Sequence, residues 1–160
     1  MKPVLLATDG SPTAEQATAT AIELAKLLDT ELVIVTVWTI PYTATGFAPA
    51  PINGELAKLG EDDAWKLVLD VAARAEEAGV ETRTVVLRGI PVEEICLAAE
   101  TYEPRFLVVG SHGWGAVKRA VFGSVSTGVL HRAKCPVLVV RADPIEVKTA
   151  AKQGDSVRVA

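Results

Sequence analysis

At 160 residues the chain fits a single domain with room for a sizeable core, and its 49% apolar and 22% charged content excludes a disordered chain. Sixteen basic side chains against 20 acidic ones leave a net charge of −4, which argues against a nucleic-acid partner but not against a nucleotide, whose phosphates need only local donors. No stretch approaches the ~20 apolar residues of a membrane span, and the apolar run at residues 4–7 is too short for a signal peptide, so a cytoplasmic protein with no membrane partner is expected.

The elements alternate from the start. Residues 4–7 read as a buried strand, stopped by Thr8-Asp9-Gly10-Ser11-Pro12. Pro12 suits the opening of a helix, whose apolar face carries Ala14, Ala17, Ala21, Leu24, Ala25 and Leu28 at spacings of three and four. Residues 32–37 form a second strand, apolar except for Thr36, as expected of a strand covered on both faces. Residues 39–54 hold Pro41, Gly46, Pro49, Pro51 and Gly54. So long a connection reads as a functional or mobile segment. Residues 55–78 read as a long helix, weakened near Gly60 and closed by Gly79 at its C-cap.

Residues 81–87 form a third strand whose polar first half, Glu81 to Thr84, predicts a sheet edge. Arg88-Gly89-Ile90-Pro91 turns the chain into a third helix over 92–101. A fourth strand follows over 105–109, a fourth helix over 125–133 and a fifth strand over 136–140. Residues 142–160 are a polar tail; a mobile tail and a peripheral strand through Val157-Arg158-Val159 both fit it. Cys96 and Cys135 form no CxxC and have no metal-like spacing, so both read as reduced structural residues.

Strands that alternate with helices predict an α/β fold, one doubly wound parallel sheet with helices on both faces. With the edge-like third strand at one end, the natural order is 3-2-1-4-5. The direction of winding then reverses between strands one and four, and ligands bind such sheets at the carboxyl ends beside the reversal. Those strands end in Asp9 and Gly110.

Gly110-Ser111-His112-Gly113 opens a glycine-rich loop there, and after nine residues Gly123-Ser124-Val125-Ser126 leads into the fourth helix. Glycine allows close approach of the backbone to a ligand, and a helix start offers free N–H donors and a positive dipole end. Ser124 and Ser126 add hydroxyl donors. The combination predicts an anion site. It is neither G-x-x-x-x-G-K-S/T nor G-x-G-x-x-G, so neither a P-loop nor a dinucleotide site is expected.

The spacing of Gly110, Gly113, Gly123 and Ser124 resembles the ATP-binding motif of the universal stress protein family. The likeness extends over residues 3–141, through Val4-Leu5-Leu6-Ala7-Thr8-Asp9-Gly10-Ser11, residues 32–37, Gly89-Ile90-Pro91 and Cys135-Pro136-Val137-Leu138-Val139-Val140. The resemblance implies a domain over 1–141 that binds ATP, with magnesium on the phosphates. It implies that Asp9, with the backbone of Ala7 and Thr8, contacts adenine or ribose, and that Val37 meets adenine through its main chain. Gly110 would lie against the ribose, and Gly113, Gly123, Ser124, Val125 and Ser126 would hold the phosphates. Lys118 and Arg119, between the glycines, would add positive charge.

Each residue has a plainer reading. Asp9 after a strand could serve only as a helix cap, and the glycines could form only a tight turn. His112 has no catalytic partner in sequence, His131 suits a helix C-terminus, and Trp114 fits a packing role. Residues 137–140 are apolar throughout, yet the strand order makes them an edge. A bare apolar edge invites pairing, and a two-fold contact with a second copy would cover it. A homodimer through the fifth strand is therefore expected, as the resemblance also implies. The overall expectation is a nucleotide-dependent stress-response regulator or sensor with an unidentified regulatory protein partner and at most slow hydrolysis. A nucleotidyl- or phosphoryl-transfer enzyme, or a structural stress module without ATP, are the alternatives.

Overall fold

The computed structural model describes residues 1–39, 54–111 and 122–141. Its elements run β1 (Val4–Ala7), α1 (Pro12–Leu27), β2 (Leu32–Trp38), α2 (Gly54–Glu77), β3 (Thr82–Arg88), α3 (Pro91–Tyr102), β4 (Phe106–Gly110), α4 (Ser124–Arg132) and β5 (Val137–Val140). The five strands form one parallel sheet in the order β3-β2-β1-β4-β5, as expected. Among the described residues, no helix is long and apolar enough to cross a membrane.

The pleat divides the core in two. Val4, Leu6, Leu32, Ile34 and Val108 point to one face, where Ala17, Ala21 and Ala25 of α1 and Val68, Val71 and Ala75 of α2 cover them. Leu5, Ala7, Val33, Val35, Leu107 and Val109 point to the other, covered by Ile95, Ala98 and Ala99 of α3 and Val129 of α4. Both faces of β1 and the first half of β2 are sealed, which is why these strands read as unbroken apolar runs. At the edge, β3 has no fully buried residue: it is half-buried except for the exposed Arg83 and Arg88, as suits its more polar composition.

Helix boundaries follow local chemistry. Ser11 is the N-cap of α1: its side chain accepts the N–H of Ala14 at 3.3 Å, with Pro12 at the first helical position. Helix α2 runs without interruption through Gly60, where the ring of Trp38 packs beside it. The glycine, with a propensity cost of about 1 kcal/mol, does not interrupt the helix. Gly79 takes a positive φ of 83° just beyond α2, as a C-cap glycine should. Helices α3 and α4 approach closely at Gly128: a β-carbon there would stand 2.7 Å from Val92 Cγ2.

Candidate functional site

The carboxyl ends of β1 and β4 are neighbours, because Ala7 pairs with Val109. Beyond that pair the chains diverge into Thr8-Asp9-Gly10 on one side and Gly110-Ser111 on the other. This is the reversal point of the sheet, the place where ligands bind in folds of this type.

On the first side, Thr8 is buried and donates its N–H to the carbonyl of Val35 at 3.0 Å, which ties the loop to β2. Asp9 is exposed, and its Oδ1 accepts the N–H of Ser11 at 3.0 Å. The plain capping reading of Asp9 gives way here, since Ser11 caps α1 and Asp9 braces the turn before it. Gly10 makes that turn at a φ of 69°, a left-handed conformation that L side chains avoid. A β-carbon on it would stand 3.0 Å from Leu67 Cδ1 of α2. Val37 lies two residues beyond Val35, half-buried at the carboxyl end of β2.

On the second side, Ser111 joins the end of β4 to the start of α4. Its N–H donates to Val140 of β5 at 2.8 Å, and its carbonyl accepts the N–H of Gly123 at 2.7 Å. The same carbonyl accepts the Ser126 hydroxyl at 3.0 Å, and the Gly123 carbonyl lies 2.9 Å from that hydroxyl. Ser126 is 3% exposed and Ser111 2% exposed, so this knot is shut off from water. The structure thus differs from the expectation of Ser126 as an outward hydroxyl donor: its single proton is directed at two main-chain carbonyls. Ser124, by contrast, is exposed in the first turn of α4, and Val125 is half-buried against the α3–α4 core.

The start of α4 shares with α3 the lack of a side-chain cap, and differs from both α1 and α3 in carrying no acidic residue. Gly123 is its N-cap, no side chain caps it, and its first turn holds no acidic residue. Helix α1 has the Ser11 cap and Glu15, and α3 carries Glu93 and Glu94. An uncapped first turn leaves main-chain N–H groups and the dipole's positive end for an external anion.

Ala7, Thr8, Asp9 and Gly110 thus lie at the carboxyl ends of β1 and β4, Gly123, Ser124, Val125 and Ser126 at the start of α4, and Val37 at the carboxyl end of the adjacent β2. Gly113, Lys118, Arg119, His112 and Trp114 lie outside the described residues, as do residues 40–53 and the tail 142–160. Three contributors were not singled out in the sequence. Ser111 sits inside the glycine motif, where a serine reads as a spacer until its partners are seen. Phe122 and Arg141 meet through a ring–guanidinium contact of 5.0 Å beside Gly123; nothing in the sequence pairs two residues so far apart. Among the described residues, no group of three or more histidine, cysteine or acidic side chains could hold a metal ion. His131 lies in the last turn of α4.

The chain has known relatives in sequence and in fold. The profile of the universal stress protein family matches residues 1–141. The universal stress protein MJ0531 of Methanocaldococcus jannaschii is 32% identical over 143 residues, which span 88% of this chain and 82% of that protein. The solved structure of protein MJ0577 from the same organism superposes with a TM-score of 0.76 at 27% identity, over 89% of this chain and 98% of that one. A universal stress protein solved in complex with cAMP superposes with a TM-score of 0.65 at 27% identity, over 89% of this chain and 98% of that one.

Proposed function

The chain belongs to the universal stress protein family, and we propose that it binds ATP at the carboxyl ends of β1 and β4 and acts as a nucleotide-dependent regulator or sensor of the stress response. The observation that carries the reading is the start of α4, uncapped, free of acidic residues and hydrogen-bonded through Gly123 to the end of β4. The cAMP complex of a related protein supports an adenine nucleotide as the ligand class. Asp9 and the main chain of Ala7, Thr8 and Val37 would receive the nucleoside, with Gly110 beside the ribose. Gly113, Gly123, Ser124 and the main-chain N–H groups of Val125 and Ser126 would receive the phosphates. The residue types fit the group: main-chain and serine donors would face the phosphates, and the Asp9 carboxylate would offer an acceptor to the hydroxyl groups. A magnesium ion would be held mainly by the phosphates themselves.

Regulation follows if ATP has a higher affinity for one conformation of the loops than for another. In this reading the protein works in the cytoplasm as a homodimer joined through β5 and passes its state to a regulatory protein. Turnover would be slow at most, since His112 has no catalytic partner in the sequence.

Thermal unfolding with and without MgATP tests the reading. At one hundred times Kd, ligand binding stabilises the native state by about 2.7 kcal/mol. The melting midpoint of the wild type should rise accordingly, and that of Gly113→Val should not. Steady-state phosphate release well below ~1 per second fits a sensor, whereas a rate above that belongs to an enzyme.

A further inference from the structure

Arg141 follows directly on β5, and the alternation of that strand directs it toward α4. Val137 and Val139 pack with the α3–α4 core, Val140 with the opposite one, and Arg141 is next in the alternation. The contact with Phe122 agrees: the guanidinium lies 5.0 Å from the ring centre, and Phe122 immediately precedes Gly123. The Val140 carbonyl accepts the N–H of Ser111, so Arg141 leaves the sheet beside the end of β4.

Place and pairing together distinguish Arg141: Arg88 also stacks on a ring, that of Trp38 at 5.8 Å, and also has no ion pair among the described residues, but it ends β3 at the opposite edge of the sheet. Arg83 also stacks on a ring, that of Tyr102, but it is neutralised by Glu31 at 3.0 Å. Arg74, Arg132 and Lys134 each have a carboxylate partner. Arg141 has no ion pair among the described residues. Stacking engages the flat face of a guanidinium and leaves its rim of N–H groups able to bind an anion in bidentate fashion. Phe122 thus holds a cation in place without consuming its hydrogen-bonding edge.

We propose that Arg141 is a phosphate-contacting residue that makes the site prefer nucleotides with a longer phosphate chain. The inference rests on the nucleotide-binding reading above and adds to it a basis for choosing ATP over AMP. A monophosphate is satisfied by the first turn of α4. A triphosphate extends farther from the nucleoside and carries more charge, and Arg141 is the described cation that stands beside that turn without an acidic partner.

Calorimetric titration of ATP and of AMP, at fixed ionic strength, into the full chain tests this. For Arg141→Gln the expected result is a loss of about tenfold in ATP affinity, the scale of one charge-assisted hydrogen bond, with AMP affinity unchanged. Arg141→Lys should restore part of the loss, and Phe122→Leu should reproduce part of it. The salt dependence of ATP binding should be shallower in Arg141→Gln than in the wild type. Equal losses for ATP and AMP, or no loss for either, overturn the role of Arg141 while leaving nucleotide binding intact. A wild type that binds neither nucleotide overturns both readings.

Discussion

Ser126 shows how the same residue type can serve a site in two ways. A serine at a helix start beside a glycine loop suggests a hydroxyl offered to phosphate. Its burial at 3% and its contacts with the carbonyls of Ser111 and Gly123 make it a fastener of the loop's base instead. Its main-chain N–H, in the first turn of α4, is the group left for a ligand. The two thiols give a prediction at this scale. Burial pushes both Cys96 and Cys135 up from the ordinary thiol value, with the positive charge of Arg132 opposing part of the effect at Cys96. The thiolate is the reactive form, so alkylation at pH 8 should be slower in the native chain than in the unfolded one, and slower at buried Cys96 than at half-buried Cys135. The sign for stability follows. A raised thiol pKa adds stability below the unfolded value, and that contribution is lost as pH rises through the folded value. Cys135 reacting natively as fast as in denaturant would contradict the burial. The position of Asp9 at the sheet's reversal was legible because it lies just beyond the strand that ends there. That Ser11, not Asp9, caps α1 depends on turn geometry set by Gly10, which residue types alone leave open.

Helix α4 owes its position to α3. Their contact depends on the missing side chain at Gly128, where a β-carbon would stand 2.7 Å from Val92 Cγ2 and 3.0 Å from Cγ1. On propensity alone, Gly128→Ala should stabilise the helix by about 1 kcal/mol. Overpacking against a β-branched side chain that is stiff in a helix costs about 1–3 kcal/mol. The clash should win, and chemical denaturation should show a net loss of about 1 kcal/mol. In a Val92→Ala background the same substitution should become neutral or stabilising; a gain in the wild-type background would show that the helices separate freely. Strands and helices of this chain were legible as elements because their apolar periods are strong: four-residue runs in β1 and β5, and helical spacing in α1. The α3–α4 approach was not, since a glycine inside a helix signals only that a side chain is absent, not what fills the space.

For the molecule as a whole, the order β3-β2-β1-β4-β5 places the reversal point and the edges of the sheet at once. That order was legible because β3 alone among the strands is polar in its first half, and parallel crossovers leave few alternatives. At the other end β5 is an edge whose Leu138 is 38% exposed on the α1 side. If a second copy covers this edge, Leu138→Lys should turn a dimer into a monomer in light scattering. A wild type that is monomeric at micromolar concentration would remove the dimer from the account. The central claim is that the reversal point holds ATP. Isothermal titration of MgATP into nucleotide-stripped protein tests it most directly. The account predicts saturable binding in the micromolar range that is abolished by Gly113→Val in a folded protein. The absence of binding heat at two temperatures, with the wild type intact, would contradict it.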